Sequence, residues 1–353
     1  MDKMPKLTVV MPSLNRAETI GRTLEYLAKQ DLDPDAFEVI LIEDGNTEAT
    51  RRAVEAAMPL LPYELTFMQN DGHRGPGYTQ NRGIRAARAP IVLLLADDVF
   101  LQPGALRAHL ETHERNPEPQ VAVLGQVLQS PELTQSVFLH HWDPFGFQDL
   151  GSAEELPWYL FWACNISVKR DFLLEKAMFR EHRGRAADGR GSGGAAHEDV
   201  ELGYRLREHG LRILYNRDAW GFHYHVYTLE RAIQRYYERG INWGEFYKYV
   251  PDPELLVQNH VITPHTLRSY VSVFRRPNSL RGSERSLAWQ LVRHVIFLTL
   301  FNRVTAPLVW KPLMDRAETS PLLAKAMSRP LYRAFLYYHF MRGVREAYAR
   351  YGD

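Results

Sequence analysis

The chain has 353 residues, 45% of them hydrophobic and 24% charged, with a formal net charge of +1. That length allows one large domain with an extension, or two domains, and so even a charge balance gives no electrostatic footprint for nucleic acid. A single cysteine, Cys164, excludes an intramolecular disulfide and any cysteine-based zinc cluster, which fits a reducing compartment.

The first residues, Met1-Asp-Lys-Met-Pro-Lys, carry no apolar signal core and run straight into a strand-like segment, which points to the cytoplasm. Strands are expected at residues 7–11, 37–42, 65–69, 91–96 and 121–127. Between them Ile20, Leu24 and Leu27 fall at helical spacing, and amphipathic stretches follow at 47–57, 78–87 and 103–115. Near-continuous apolar strands alternating with such helices predict an α/β fold with a mostly parallel sheet covered on both faces. Ligands of such folds bind beyond the carboxyl ends of the strands. Those ends read Met11-Pro12-Ser13-Leu14-Asn15-Arg16, Glu43-Asp44-Gly45-Asn46, Asn70-Asp71-Gly72-His73-Arg74-Gly75-Pro76-Gly77 and Asp97-Asp98. A satisfied turn explains any one of them; four together point to a polar site along one edge.

The adjacent carboxylates of Asp97 and Asp98 repel and raise each other's pKa, so a positive partner is expected beside them. A divalent cation held by oxygen ligands and substrate phosphates is one partner; capping of the helix near Pro103 is the alternative. Residues 134–162 are irregular and rich in Trp, Pro and Phe. Residues 183–196 hold five glycines and lead directly into His197-Glu198-Asp199, which begins a helix with acids in its first turn. A flexible segment joined to a carboxylate-led helix suits a closing lid, and equally a surface loop. Glu198 and Asp199 answer the helix dipole or supply a general base. His223 and His225, two apart on an expected strand, share one face, and either completes a metal shell or serves structure. From about residue 229 the pattern is helical to the end.

Taken in order, Met11-Pro-Ser-Leu-Asn-Arg, Glu-Asp44-Gly-Asn, Gly77-Tyr-Thr-Gln-Asn81-Arg-Gly, Ala96-Asp97-Asp98, Glu198-Asp199-Val-Glu-Leu-Gly-Tyr-Arg and His223-Tyr-His225 resemble the family 2 glycosyltransferases over roughly residues 6–240. The resemblance implies the GT-A fold, a Rossmann-like, mostly parallel sheet flanked by helices, here over residues 1–228, with a helical C-terminal extension over 229–353. It implies transfer, with inversion, of one sugar from a nucleotide diphosphate sugar, by family default a UDP-sugar, to a hydroxyl of a glycan or lipid-linked glycan in bacterial surface polysaccharide or glycoconjugate synthesis. Pro12 and Ser13 would lie by the base and ribose, and Asp44 would accept from the base. Asn15, Arg16, Arg74, Asn81 and Arg82 are further nucleotide-sugar candidates, with Asp97 facing the ribose or sugar. Asp98, with His223 and His225, would ligate Mn2+ or Mg2+. Asp199 would be the catalytic base with Glu198 beside it, and Trp162, Cys164 and Asn165 would line the sugar or acceptor pocket.

Three departures matter. Ala96 stands where the family's first metal-motif aspartate belongs, and Gln80 where a basic residue is common. The Gln-x-x-Arg-Trp element of processive synthases is absent, the nearest run being Gln234-Arg-Tyr-Tyr-Glu, which argues for one sugar per encounter. A nucleotidyltransferase would need a glycine-rich basic loop after the first strand, yet no glycine occurs there before Gly21. A non-catalytic sugar-binding protein of the same fold is favoured by Ala96 alone. The apolar stretch 287–310, interrupted by Arg293, His294, Asn302 and Arg303, is too broken to span a membrane. With residues 331–341 it makes the C-terminus a candidate for core packing, a homodimer contact or a peripheral contact with the inner face of the membrane.

Overall fold

Strands β1 (Leu7–Ser13) and β2 (Phe37–Glu43) are apolar along almost their whole length because helices cover both of their faces; β2 is buried at all seven positions. They belong to a computed structural model that describes residues 4–45, 48–133, 136–142, 145–181, 197–249 and 295–351. The glycine-rich segment 183–196, the expected lid, lies outside the described residues, as does 287–294.

The chain forms two compact units, residues 1–134 with 143–226, and residues 135–142 with 227–353. The first holds a nine-stranded sheet that also comprises β3 (Glu64–Gln69), β4 (Ile91–Leu95), β5 (Val99–Leu101), β6 (Val121–Gln129), β7 (Glu155–Leu156), β8 (Asn165–Lys169) and β9 (Arg212–His223). The order is β3-β2-β1-β4-β8-β6-β9-β5, with β7 on β9. Pairings β1–β2, β2–β3, β1–β4 and β6–β9 are parallel. Strand β8 runs antiparallel between β4 and β6, so all five strands expected from the sequence point one way. Their carboxyl ends therefore lie along one edge.

Helices α1 (Ala17–Ala28), α2 (Glu48–Ala57), α3 (Pro76–Ala86) and α4 (Ala105–Arg115) fall where the periodicity placed them, and α6 (Arg170–Lys176) and α7 (Glu198–Arg207) follow. Ile20, Leu24 and Leu27 are the buried face of α1. Gly83 brings α3 against the sheet, since a Cβ there would lie 2.4 Å from Val10 Cγ1. Strands β5, β7 and β8 are short, and nothing in the sequence pattern announces them.

The second unit includes α5 (Val137–His141), α8 (Leu229–Tyr249), α9 (Lys311–Ala317), α10 (Pro321–Ala326) and α11 (Arg329–Tyr351). It takes in residues 135–142, which the sequence boundary at 228/229 had left with the first. Helices α8 and α11 cross at two glycines: a Cβ on Gly240 would stand 2.0 Å from Phe340 O, and one on Gly343 2.1 Å from Tyr237 O. Among the described residues no helix is long and apolar enough to cross a membrane.

Candidate active site

The site begins where β1, β2 and β3 end. Asp44 follows β2, and its backbone N–H bonds Ser13 O at 2.7 Å, continuing the parallel register past the strand ends. Its carboxylate accepts from Asn70 Nδ2 (2.8 Å), Arg74 N (2.8 Å) and Gly75 N (2.9 Å), and His73 Nδ1 lies 2.8 Å away. A carboxylate offers about four lone-pair sites, and all are committed here to the loop between β3 and α3. In this structure Asp44 holds that loop.

Asp97 and Asp98 occupy the turn between β4 and β5. Helix α4 is preceded by Gly104 and has no side-chain cap, so neither aspartate caps it. Three cationic or imidazole groups surround Asp98 instead. Arg16 Nη2 and His225 Nδ1 lie 3.3 and 3.1 Å from its Oδ2, and His223 Nε2 lies 3.6 Å from its Oδ1. Burial alone would raise the Asp98 carboxyl, but His223, His225 and Arg16 outweigh it and hold it below the ordinary carboxylate range. Asp97 shows the opposite balance. Burial, reinforced by the Asp98 charge, pushes it up to about 7, although Arg16 Nε is 3.8 Å away. One aspartate is thus kept as the anion and its neighbour is poised near neutrality, as two adjacent acids require.

One carboxylate oxygen of Asp98 and one nitrogen from each histidine lie within 4.8 Å of one another. An oxygen and two imidazole nitrogens on a strand end and the turn facing it fit a divalent metal ion. The two imidazoles stack 5.7 Å apart at 5°, and Phe145 packs edge-on to His223 at 4.8 Å. His225 lies beyond the end of β9, so it is the backbone after the strand that brings it beside His223.

Across the site, α7 begins at Glu198 after His197, whose φ of 79° is left-handed. Asp199 Oδ2 accepts from Ala163 N at 3.2 Å, and Oδ1 from Val200 N at 2.8 Å. The carboxylate thereby answers its own helix N-terminus and also grips the segment before β8. On the other side of that segment, Cys164 O accepts from Ala96 N at 3.1 Å. Burial pushes the Cys164 thiol up, and the charges of Asp199 and Asp98 add to the shift. Glu198 is pushed up to about 8 by burial and then by the Asp199 charge, against a hydrogen bond from the Gly77 backbone. It therefore holds a proton at neutral pH.

Other candidates face elsewhere. Asn81 is buried and clamps Phe179, donating to its O at 2.9 Å and accepting from its N at 3.0 Å. Arg82 Nη1 donates to Gln69 O (2.5 Å) and Asn70 Oδ1 (2.8 Å), bracing the end of β3. Asn165 has no exposure: its Nδ2 donates to Ala219 O at 2.8 Å and its Oδ1 meets His109 Nε2 at 3.1 Å. It belongs to the core. Cys164 is buried, and Trp162, half-buried, stands edge-on to Phe147 at 5.1 Å. Pro12 is half-buried and Ser13 buried at the end of β1. The guanidinium of Arg74 lies over the Tyr78 ring at 4.6 Å. Sequence reasoning gave no role to Asn70, His73 or Phe145. The first two stood in a polar strand end that could have nominated them; Phe145 lay in the irregular stretch, which carries no periodic signal.

Residues 8–174 match the family model described as Glycosyl transferase family 2. That region, just under half of the chain, is similar to a family 2 glycosyltransferase domain. Among curated relatives, the chain is similar to the validoxylamine A glucosyltransferases of Streptomyces hygroscopicus subsp. limoneus and subsp. jinggangensis, each 31% identical over 246 residues. That alignment covers 62% of this chain but 51% and 55% of theirs, so the chain spans about half the length of these relatives. Among solved structures, the mannosyltransferase PcManGT from Pyrobaculum calidifontis, in complex with GDP-Man and Mn2+, superposes with a TM-score of 0.56 at 15% identity. The match covers 96% of this chain and 87% of that one. S. aureus TarS 1–349 gives 0.50 at 19% identity over 99% and 92% of the two chains. At such identities the likeness speaks for the fold, the GT-A arrangement with C-terminal helices.

Proposed function

We propose that the protein transfers a single glycosyl group, with inversion, from a nucleotide diphosphate sugar to an acceptor hydroxyl. The observation that carries this reading is the Asp98–His223–His225 cluster, together with Asp199 bonded to Ala163 N in a segment whose next residue, Cys164, accepts from Ala96 N two residues before Asp98. Donor and acceptor held across that segment would have a cationic centre on one side and a base on the other.

Asp199 accepts the proton of the acceptor hydroxyl as that oxygen attacks the anomeric carbon from the face opposite the diphosphate. Two N–H donors orient its carboxylate. Asp98, His223 and His225 would hold the divalent ion. The two nitrogen ligands favour Mn2+ over Mg2+, which prefers oxygen. When bound, such an ion supplies Lewis-acid charge to a departing diphosphate. Glu198, protonated at neutral pH, adds no second negative charge beside the donor phosphates. The relatives' names point to a glucosyl donor and the family default to a UDP-sugar, so UDP-glucose is the first donor to try, with glycan and lipid-linked glycan hydroxyls as the acceptor class.

The test is nucleoside diphosphate release from UDP-, GDP- and dTDP-sugars, with Mn2+ and with chelator. Mn2+-dependent release from one donor, lost in Asp199→Asn, supports the reading. If no donor is turned over and none raises the melting temperature, the reading is wrong.

A further inference from the structure

The group nearest the Asp98–His225 pair is itself a cation. Arg16 Nη2 stands 3.3 Å from Asp98 Oδ2 and 3.1 Å from His225 Nδ1, while those two atoms are 3.1 Å apart. With His225 in the tautomer that leaves Nδ1 without a proton, these two atoms form an acceptor pair whose repulsion a shared cation relieves. A terminal guanidinium nitrogen carries two N–H bonds and a share of the delocalised charge, so Nη2 can donate one bond to each. The lone pairs of Asp98 and His225 then converge on it as ligands converge on a metal. Nε of the same side chain reaches toward Asp97 Oδ1 at 3.8 Å, spreading the charge over both acids.

We propose that Arg16 is a built-in counter-cation of the metal centre: in the metal-free protein its guanidinium stands where a divalent ion would bind, and ion and guanidinium compete for Asp98 and His225. The inference rests on the metal-centre part of the proposed function and not on the transfer reaction.

The backbone around Arg16 suits an exchange by the side chain alone. Asn15 is held at φ 56°, in the left-handed region, which turns the chain from β1 into α1. Arg16 O then accepts from Thr19 N and Ile20 N at 3.0 Å, fixing its main chain as the first carbonyl of the helix. The side chain is one-third exposed, against 9% for Asp98 and 11% for Asp97. It therefore has an outward path that the acids lack. Once displaced it stays tethered at the rim, where its planar fork suits a diphosphate oxygen pair. Metal entry would thus hand the arginine from the protein's acids to the donor.

Mn2+ binding to the full chain, followed by the electron paramagnetic resonance signal of free Mn2+, tests this without any turnover. Arg16→Gln should bind Mn2+ about tenfold more tightly than wild type, and UDP should tighten Mn2+ binding more in wild type than in the variant. Without metal, Arg16→Gln should melt lower than wild type, because the acids lose their counter-charge, and Mn2+ should raise its melting temperature more. If the glutamine variant does not fold, Arg16→Ala is measured in the same way. Equal or weaker Mn2+ binding in the arginine variants, with Asp98→Asn abolishing binding, overturns the competition and leaves the metal centre standing. Absence of Mn2+ binding in wild type and variants alike overturns both.

Discussion

Beneath the site, α4 and β8 are joined by a chain of hydrogen bonds whose direction is set at one end. Asn165 Nδ2 donates to Ala219 O, so its Oδ1 must accept, and His109 Nε2 must carry a proton. His109 Nδ1 then accepts from Ser167 at 2.8 Å, Ser167 Oγ accepts from His113 Nε2 at 2.9 Å, and His113 Nδ1 accepts from Lys169 at 3.2 Å. Every imidazole is neutral in this arrangement, and burial pushes His109 down to about 4 and His113 down to about 3 from 6.5. Unfolded, both would titrate near 6.5. Between that value and their folded ones the unfolded chain binds more protons, so stability falls as pH drops through 6.5 and the loss is complete below about 3. For His109 alone, lowering the pH from about 7.5 to about 5 costs roughly 2 kcal/mol, and His113 adds about as much.

His109→Gln removes one of these titrations. Urea unfolding followed by tryptophan fluorescence at the two pH values should show the wild type losing about 2 kcal/mol more than the variant over that interval, whatever the variant's stability at neutral pH. An equal loss in the two proteins would refute the neutral, directional chain.

Asp199→Asn should lower kcat about a thousandfold while donor affinity changes less than about twofold, as expected of a general base; turnover assays and donor titration calorimetry separate the two effects. Glu198 ionises above about 8, beside Asp199 and near Asp44, so donor KM should climb toward about tenfold per pH unit above that point. Glu198→Gln should flatten this limb, and an unchanged profile would remove Glu198 from donor binding. Gly240→Ala would drive a methyl to 2.0 Å from Phe340 O. We expect it to destabilise the second unit by about 1–3 kcal/mol, read as faster amide exchange in α8 and α11 with β1 and β2 unaffected.

Much of the first unit was legible because its signals are local. The five apolar strands and four amphipathic helices up to residue 129 are set by periodicity within a dozen residues, and a parallel arrangement then forces their polar ends onto one edge. Asp98, His223 and His225 could be nominated in the same way, as polar residues at the limits of apolar runs. Asp44, Asn81, Arg82 and Asn165 were nominated with them, because residue type and position do not say which way a side chain turns. The loop between β3 and α3 engages Asp44, Phe179 engages Asn81, and His109 engages Asn165 from 56 residues away.

By itself, then, the sequence determined the fold class, the edge on which chemistry sits and the residue types gathered there, because hydrophobic burial and strand direction act through short-range pattern. The partners were decided only by tertiary structure. Arg16 meets His225 across 209 residues, and Asp199 meets Ala163 across 36, because the sheet order places β8 and β9 beside strands far from them in the chain. A hydrogen bond depends on a separation of a few tenths of an ångström and on an angle. Those quantities exist only once the sheet has closed around the site.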